Sequence, residues 1–210
     1  MKIGVVRSIL VACISVQLFA TTAGAQTTDS ALVADIVSYQ TNLTREYRDT
    51  AETPLDADAL AMFEAHEFFP PDLSYRVTAA FTRTPDEAAF KMKTTGPKTP
   101  AYVKYGEAAF KLNGKQFTLN VYQNVALSQR DEYKDHLFLP FTDNTNGETT
   151  YGGGRYIDLI RPGGDSIVID FNKAYNPYCA YSDKYSCPIP PKENHLDTEV
   201  KAGIMLRDRH

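Results

Sequence analysis

Two aspartates and a glutamate are the residues best suited to moving protons. Asp158 and Asp170 lie in alternating segments on either side of Pro162-Gly163-Gly164-Asp165, so a hairpin there sets their carboxylates on neighbouring strands. Paired carboxylates split acid and base roles or hold a divalent cation, the chemistry of a hydrolase. Glu193 is a third candidate. A second set suits binding: Asp143, Tyr151, Arg155, Asn172, Tyr175, Asn176, Tyr178 and Asn194. If residues 143–156 and 170–194 meet at one rim, these side chains line a pocket for a small polar or carbohydrate-like ligand. Arg155, directly after three glycines, would set the ligand's charge; Tyr175 and Tyr178 would stack; Asn176 and Asn194 would orient it. The plain alternative is structural. Asp170, Asn172 and Asn194 would then satisfy backbone groups of an irregular segment, and Arg155 would pair with Asp158 or Asp170.

Cys179 and Cys187 enclose seven residues, and closing so short a loop is worth on the order of 2–3 kcal/mol. A disulfide is the expectation. A metal pair completed by His195 has wider spacing than zinc ligands usually show, and no Cys-x-x-Cys redox pattern exists. Asp143-Asn144-Thr145-Asn146-Gly147-Glu148 is oxygen-rich but does not match the spacing of a helix-loop-helix calcium loop. No metal site is therefore assigned. Gly164-Asp165-Ser166 lacks the context of a nucleophile elbow, and no phosphate-binding glycine loop is present. The sequence names no cofactor and no oligomeric state.

These residues belong to a chain of 210 with net charge -4, 13 Tyr, 11 Phe and no Trp. Its mild acidity, pI near 5.6, argues against nucleic acid as a partner. Residues 1–25 read as an export signal: Lys2 and Arg7, an apolar run to Ala20, then Ala23-Gly24-Ala25 before Gln26. Lipidation at Cys13, in Leu10-Val11-Ala12-Cys13, is the less favoured reading. Export places the protein in the periplasm or outside the cell, where disulfides persist. No second apolar stretch reaches membrane length. Removing the leader takes away Lys2 and Arg7 and leaves 20 basic against 26 acidic residues, a charge of -6.

The positioning elements follow from periodicity. Leu32, Ile36, Tyr39, Leu43 and Tyr47 recur at helical spacing over residues 29–49, and Asp56 caps a shorter helix carrying Leu60 and Phe63. Residues 26–54 thus form an N-terminal helical segment and 55–210 a β-rich domain. Tyr75 to Phe81 alternates, as does Phe90 to Lys93, and Asn113-Gly114 between alternating runs is the clearest hairpin. Arg155 to Phe171 reads as a further hairpin and Leu196 to Ala202 as a last strand. Phe138 to Arg155 and Asp170 to Asn194 read as long loops. The fold class is α+β, with N-terminal helices packed on a mainly antiparallel sheet or partly closed barrel.

Several segments resemble an uncharacterised prokaryotic family, domain of unknown function 1684. They are Phe69-Pro70-Pro71 with Tyr75-Arg76-Val77, Tyr105-Gly106 with Phe110, Leu139-Pro140-Phe141-Thr142-Asp143, and Glu148 to Tyr156. The most specific are Asp170-Phe171-Asn172-Lys173-Ala174-Tyr175-Asn176-Pro177-Tyr178-Cys179-Ala180-Tyr181 and Cys187 to Asn194. The likeness covers roughly residues 55–204. The family's usual Ala-Gly-Glu-Lys ending reads Ala202-Gly203-Ile204-Met205 here. The resemblance implies no established activity; it points to residues 143–156 and 170–194 as the place to look. Three readings follow: a ligand-binding domain, a carboxylate hydrolase, and a non-catalytic envelope module.

Overall fold

The computed structural model describes residues 22–51 and 53–206, so most of the leader, including Cys13, lies outside the described residues. Helix α1 (Thr22–Arg48) is followed by the short α2 (Ala57–Met62). Asp56 caps α2 by accepting from the Ala59 amide at 2.9 Å, as its type predicts. Eight strands follow: β1 (Arg76–Arg83), β2 (Phe90–Lys91), β3 (Ala101–Leu112), β4 (Lys115–Asn124), β5 (His136–Asp143), β6 (Arg155–Ile160), β7 (Ser166–Asp170) and β8 (His195–Leu196). The main path is antiparallel in the order β6-β5-β4-β3-β1-β7, with β2 on β3 and β8 parallel to β5. It curls into a half-barrel, and the α+β expectation holds.

Alternation decides which faces are buried. Ala79, Phe81, Phe110, Leu119, Leu137, Leu139, Phe141, Ile157 and Ile169 fill the inner face. On the outer face Met92, Tyr102, Tyr122, Phe138 and Tyr156 form a second, aromatic layer, with Tyr175 packed on it. Helix α1 buries its predicted stripe, most completely at Ile36 and Tyr47. The β3–β4 hairpin turns at Asn113 (φ 48°) and Gly114 (φ 80°), the conformation a two-residue primed turn requires.

Three sequence expectations are corrected. Residues 155–171 do not form a hairpin: β6 pairs with β5, and β7 with β1 in the register Arg76↔Asp170. Pro162 has no N–H to donate, and neither Gly163 nor Gly164 adopts the positive φ of a tight primed turn. The connection therefore joins the two edges of the curled sheet and leaves a seam between β6 and β7. The supposed loop from Phe138 begins as strand, because β5 is covered on both faces and shows no alternation. The supposed last strand shrinks to His195–Leu196, since the backbone beyond is taken up by buried side chains described below.

Candidate functional site

Arg155 leaves β6 pointing inward and is fully buried, with 0% exposure. One guanidinium nitrogen, Nη2, donates to Asp143 Oδ2 (3.3 Å) and to the Val200 carbonyl (2.9 Å). The other, Nη1, donates to the carbonyls of Ala202 and Ile204. Asp143 in turn accepts from the Val200 amide (2.6 Å) and the Thr145 hydroxyl (2.8 Å). Burial pulls the guanidinium down to about 10, partly opposed by Asp143, so it stays charged at neutral pH. Where a strand would have found a neighbour, residues 200–204 find this ion pair instead. Asp143 and Arg155, expected at a ligand rim, thus face each other inside the protein, and Arg155 pairs with neither Asp158 nor Asp170.

The two asparagines work as substitute peptides. Asn172 exchanges two hydrogen bonds with the backbone of Asp72, both 2.9 Å, and its own carbonyl accepts from Gln40 of α1 (3.2 Å). Asn194 exchanges two with the backbone of Asn120 (2.9 and 2.8 Å) and donates to the Pro140 carbonyl (2.7 Å). Pro140 offers β4 no N–H, and the β4–β5 ladder contains only Tyr122↔Phe138, so Asn194 bridges the gap. Both are fully buried. In this structure the hydrogen bonds of both side-chain amides go to the protein itself.

The remaining candidates are dispersed. Glu193 is exposed and does not line the cleft that Asp158 and Asp170 share. Asn176 is buried and donates to the Tyr181 hydroxyl (3.1 Å), while Tyr178 is exposed on an aromatic group with Tyr47 and Tyr185. Tyr151 lies 3.9 Å from the Cys179 sulfur. Both cysteines are free thiols here and adjacent, the Cys179 amide donating to Cys187 Sγ at 3.1 Å. The hydrogen bond from Cys187 lowers the Cys179 thiol to about 6, and the same pairing, with burial, raises Cys187. His195 bonds Thr142 (3.0 Å), and among the described residues no group of three or more His, Cys, Asp or Glu could hold a metal ion.

The seam brings Asp158 and Asp170 together, by a route the sequence did not show. A cleft of about 210 Å³ opens between β6 and β7 beneath α1. Its charged lining is Asp35, Arg76, Asp158, Asp170 and Lys173, with Tyr39 beside them and Ile160 and Val168 exposed at the rim. Asp170 is held 3.6 Å from Arg76 and bonds Asn172, while Lys173 reaches Asp35 at 2.7 Å. Asp158 accepts from the Tyr175 hydroxyl (3.0 Å) and contacts His136 Nε2 (2.9 Å). Burial, then Asp158, raises the Tyr175 hydroxyl well above its ordinary range. Tyr39 reads from the sequence only as part of the buried helical stripe and Arg76 and Lys173 only as parts of motifs, while nothing local points to His136 or Asp35. The β5–β6 register His136↔Ile160 places His136 diagonally opposite Asp158, a relation visible only once the strands are paired.

The chain matches the family described as Protein of unknown function (DUF1684) over residues 61–205. It is also similar to an uncharacterized protein of Haloarcula marismortui solved by solution NMR, at 32% identity and a TM-score of 0.67. That match covers 89% of this chain and 98% of the other. No curated protein matches. Motif, fold and coverage agree: this chain belongs to the DUF1684 family.

Proposed function

We propose that this chain is an exported binding domain that takes a small polar or carbohydrate-like ligand in the seam between β6 and β7. The supporting observation is the cleft's charged lining, which offers donors at Arg76 and Lys173 and acceptors at Asp35, Asp158 and Asp170. A ligand with hydroxyls, or with charges of both signs, can exchange with the internal pairs Arg76–Asp170 and Lys173–Asp35. Export rests on residues 1–25, and with it the proposal that Cys179 and Cys187 are oxidised to a disulfide in the mature protein. The test is a thermal-shift screen of small polar metabolites and oligosaccharides. At least one compound should stabilise the protein, with the shift lost in Arg76→Ala and in Asp158→Asn. Stabilisation that survives both substitutions, or no stabilising compound, would end the proposal.

One observation favours a second reading, hydrolysis. Asp158 sits between an imidazole and a phenol, with a second carboxylate, Asp170, lining the same cleft. Such a carboxylate can orient His136 as a base. Turnover of a stabilising compound that disappears in His136→Gln, with binding kept, would select this reading over simple binding.

A further inference from the structure

A second cleft, about 520 Å³, lies between α1 and residues 65–68, away from the seam. One side is a single helix stripe: Val37, Gln40, Thr41, Thr44, Arg45 and Arg48 recur at intervals of three and four or their sums. Ala65, His66 and Phe68 face it. Its polar side chains are largely turned to the protein itself. The Gln40 amide donates to the Asn172 carbonyl, and the Thr41 hydroxyl donates to the Val37 carbonyl at 2.8 Å. Val37 is left 46% exposed, a large aliphatic side chain in water beside this cleft. The two arginines stand at its far end. Arg48 reaches the Glu64 carbonyl, and among the described residues neither Arg45 nor Arg48 is paired with a carboxylate. In a chain with more acidic than basic residues, two such guanidiniums in one cleft with the apolar side chains of Val37, Ala65 and Phe68 are a charge arrangement in want of an anion.

We infer that this cleft binds a single-chain amphiphilic carboxylate, of the fatty-acid class. The carboxylate lies against Arg45 and Arg48, and the alkyl chain runs along α1 toward Val37 and across Phe68. From Val37 to Arg48 the helix rises about 16 Å, which suits an extended acyl chain of medium length. The guanidinium left over at Arg45 matches a single negative charge. This inference does not depend on the seam cleft.

The test titrates the purified protein with decanoate below its micelle concentration, by calorimetry and by amide chemical shifts. The expected result is one saturable site, with shifts concentrated in residues 37–48 and 65–68. The double variant R45A/R48A, and uncharged decan-1-ol on the unaltered protein, should each bind at least about tenfold more weakly, the scale of one lost charge-assisted contact. Arg76→Ala, in the seam, should leave decanoate affinity unchanged. Non-saturating uptake, shifts centred elsewhere, or equal affinity for decanoate and decan-1-ol would overturn it. The decan-1-ol comparison needs no variant, so it decides even if R45A/R48A folds poorly.

Discussion

Asp143→Asn separates the two roles that Arg155 could play. The substitution keeps the side chain's shape and an oxygen able to accept from the Val200 amide, but removes the charge facing Arg155. Both partners are at 0% side-chain exposure, so the guanidinium is left buried with carbonyl dipoles alone. Breaking a buried pair from one side costs about 3–5 kcal/mol, against about 0–1 for an exposed pair. For a domain of this size that lowers Tm by about 6–20 °C. Urea unfolding followed by circular dichroism measures the free energy directly, and tyrosine fluorescence is an independent probe in a chain without Trp. Replacing both partners, as in D143N/R155M, should recover part of the loss, because an apolar side chain then occupies the site without an unpaired charge. A loss below about 1 kcal/mol in Asp143→Asn would refute the assignment of Arg155 as an internal fastener.

Other outcomes follow from the same geometry. Asn194→Ala removes three hydrogen bonds and strands the Asn120 amide and the Pro140 carbonyl, so stability should fall by about 2–3 kcal/mol in the same urea assay. Gly203→Ala should also destabilise measurably, since φ is +78° and the added carbon would meet the Phe171 carbonyl at 2.7 Å. Tyr47, Tyr156 and Tyr175 have hydroxyls raised above their ordinary value near 10, first of all by burial. Their folded state holds protons that the unfolded state releases, so their stabilisation is complete below pH 10 and is lost as pH rises beyond it. Tyrosinate absorbance and loss of circular dichroism should then rise together; a full tyrosine titration near pH 10 with the fold intact would contradict this. Alkylation without reductant, read by intact mass, should label neither cysteine of the exported protein. After reduction Cys179 should label with a midpoint near pH 6, ahead of Cys187.

The sequence was most legible where local chemistry is sufficient. Asn113-Gly114 dictates its turn, Asp56 its cap, and the Leu32-to-Tyr47 stripe the buried side of α1. It misled where a segment's partner is distant. β5 conceals its strand because both faces are covered, and the ends of β6 and β7 are consecutive in sequence yet lie on opposite edges of the sheet. The motif around Asn172 and Asn194 stood out for its composition, and the plain alternative described its chemistry: these side chains satisfy backbone groups. The Asp158–Asp170 pair was legible as a pair, although a gap in the sheet, rather than a hairpin, brings the two to one cleft. The place of Arg76, Lys173, Asp35 and His136 at the cleft carries no local signal, because each enters through a register or a helix crossing set by the whole fold.

The seam is proposed as the ligand site, and the buried motif as the network that holds the fold. A crystal structure with the most stabilising polar compound from the screen tests this most directly. The compound should lie between β6 and β7, in contact with Arg76, Asp158 or Lys173, while Arg155, Asn172 and Asn194 keep their internal partners. A compound bound at residues 143–154 with Arg155 turned toward it would overturn this placement of the site.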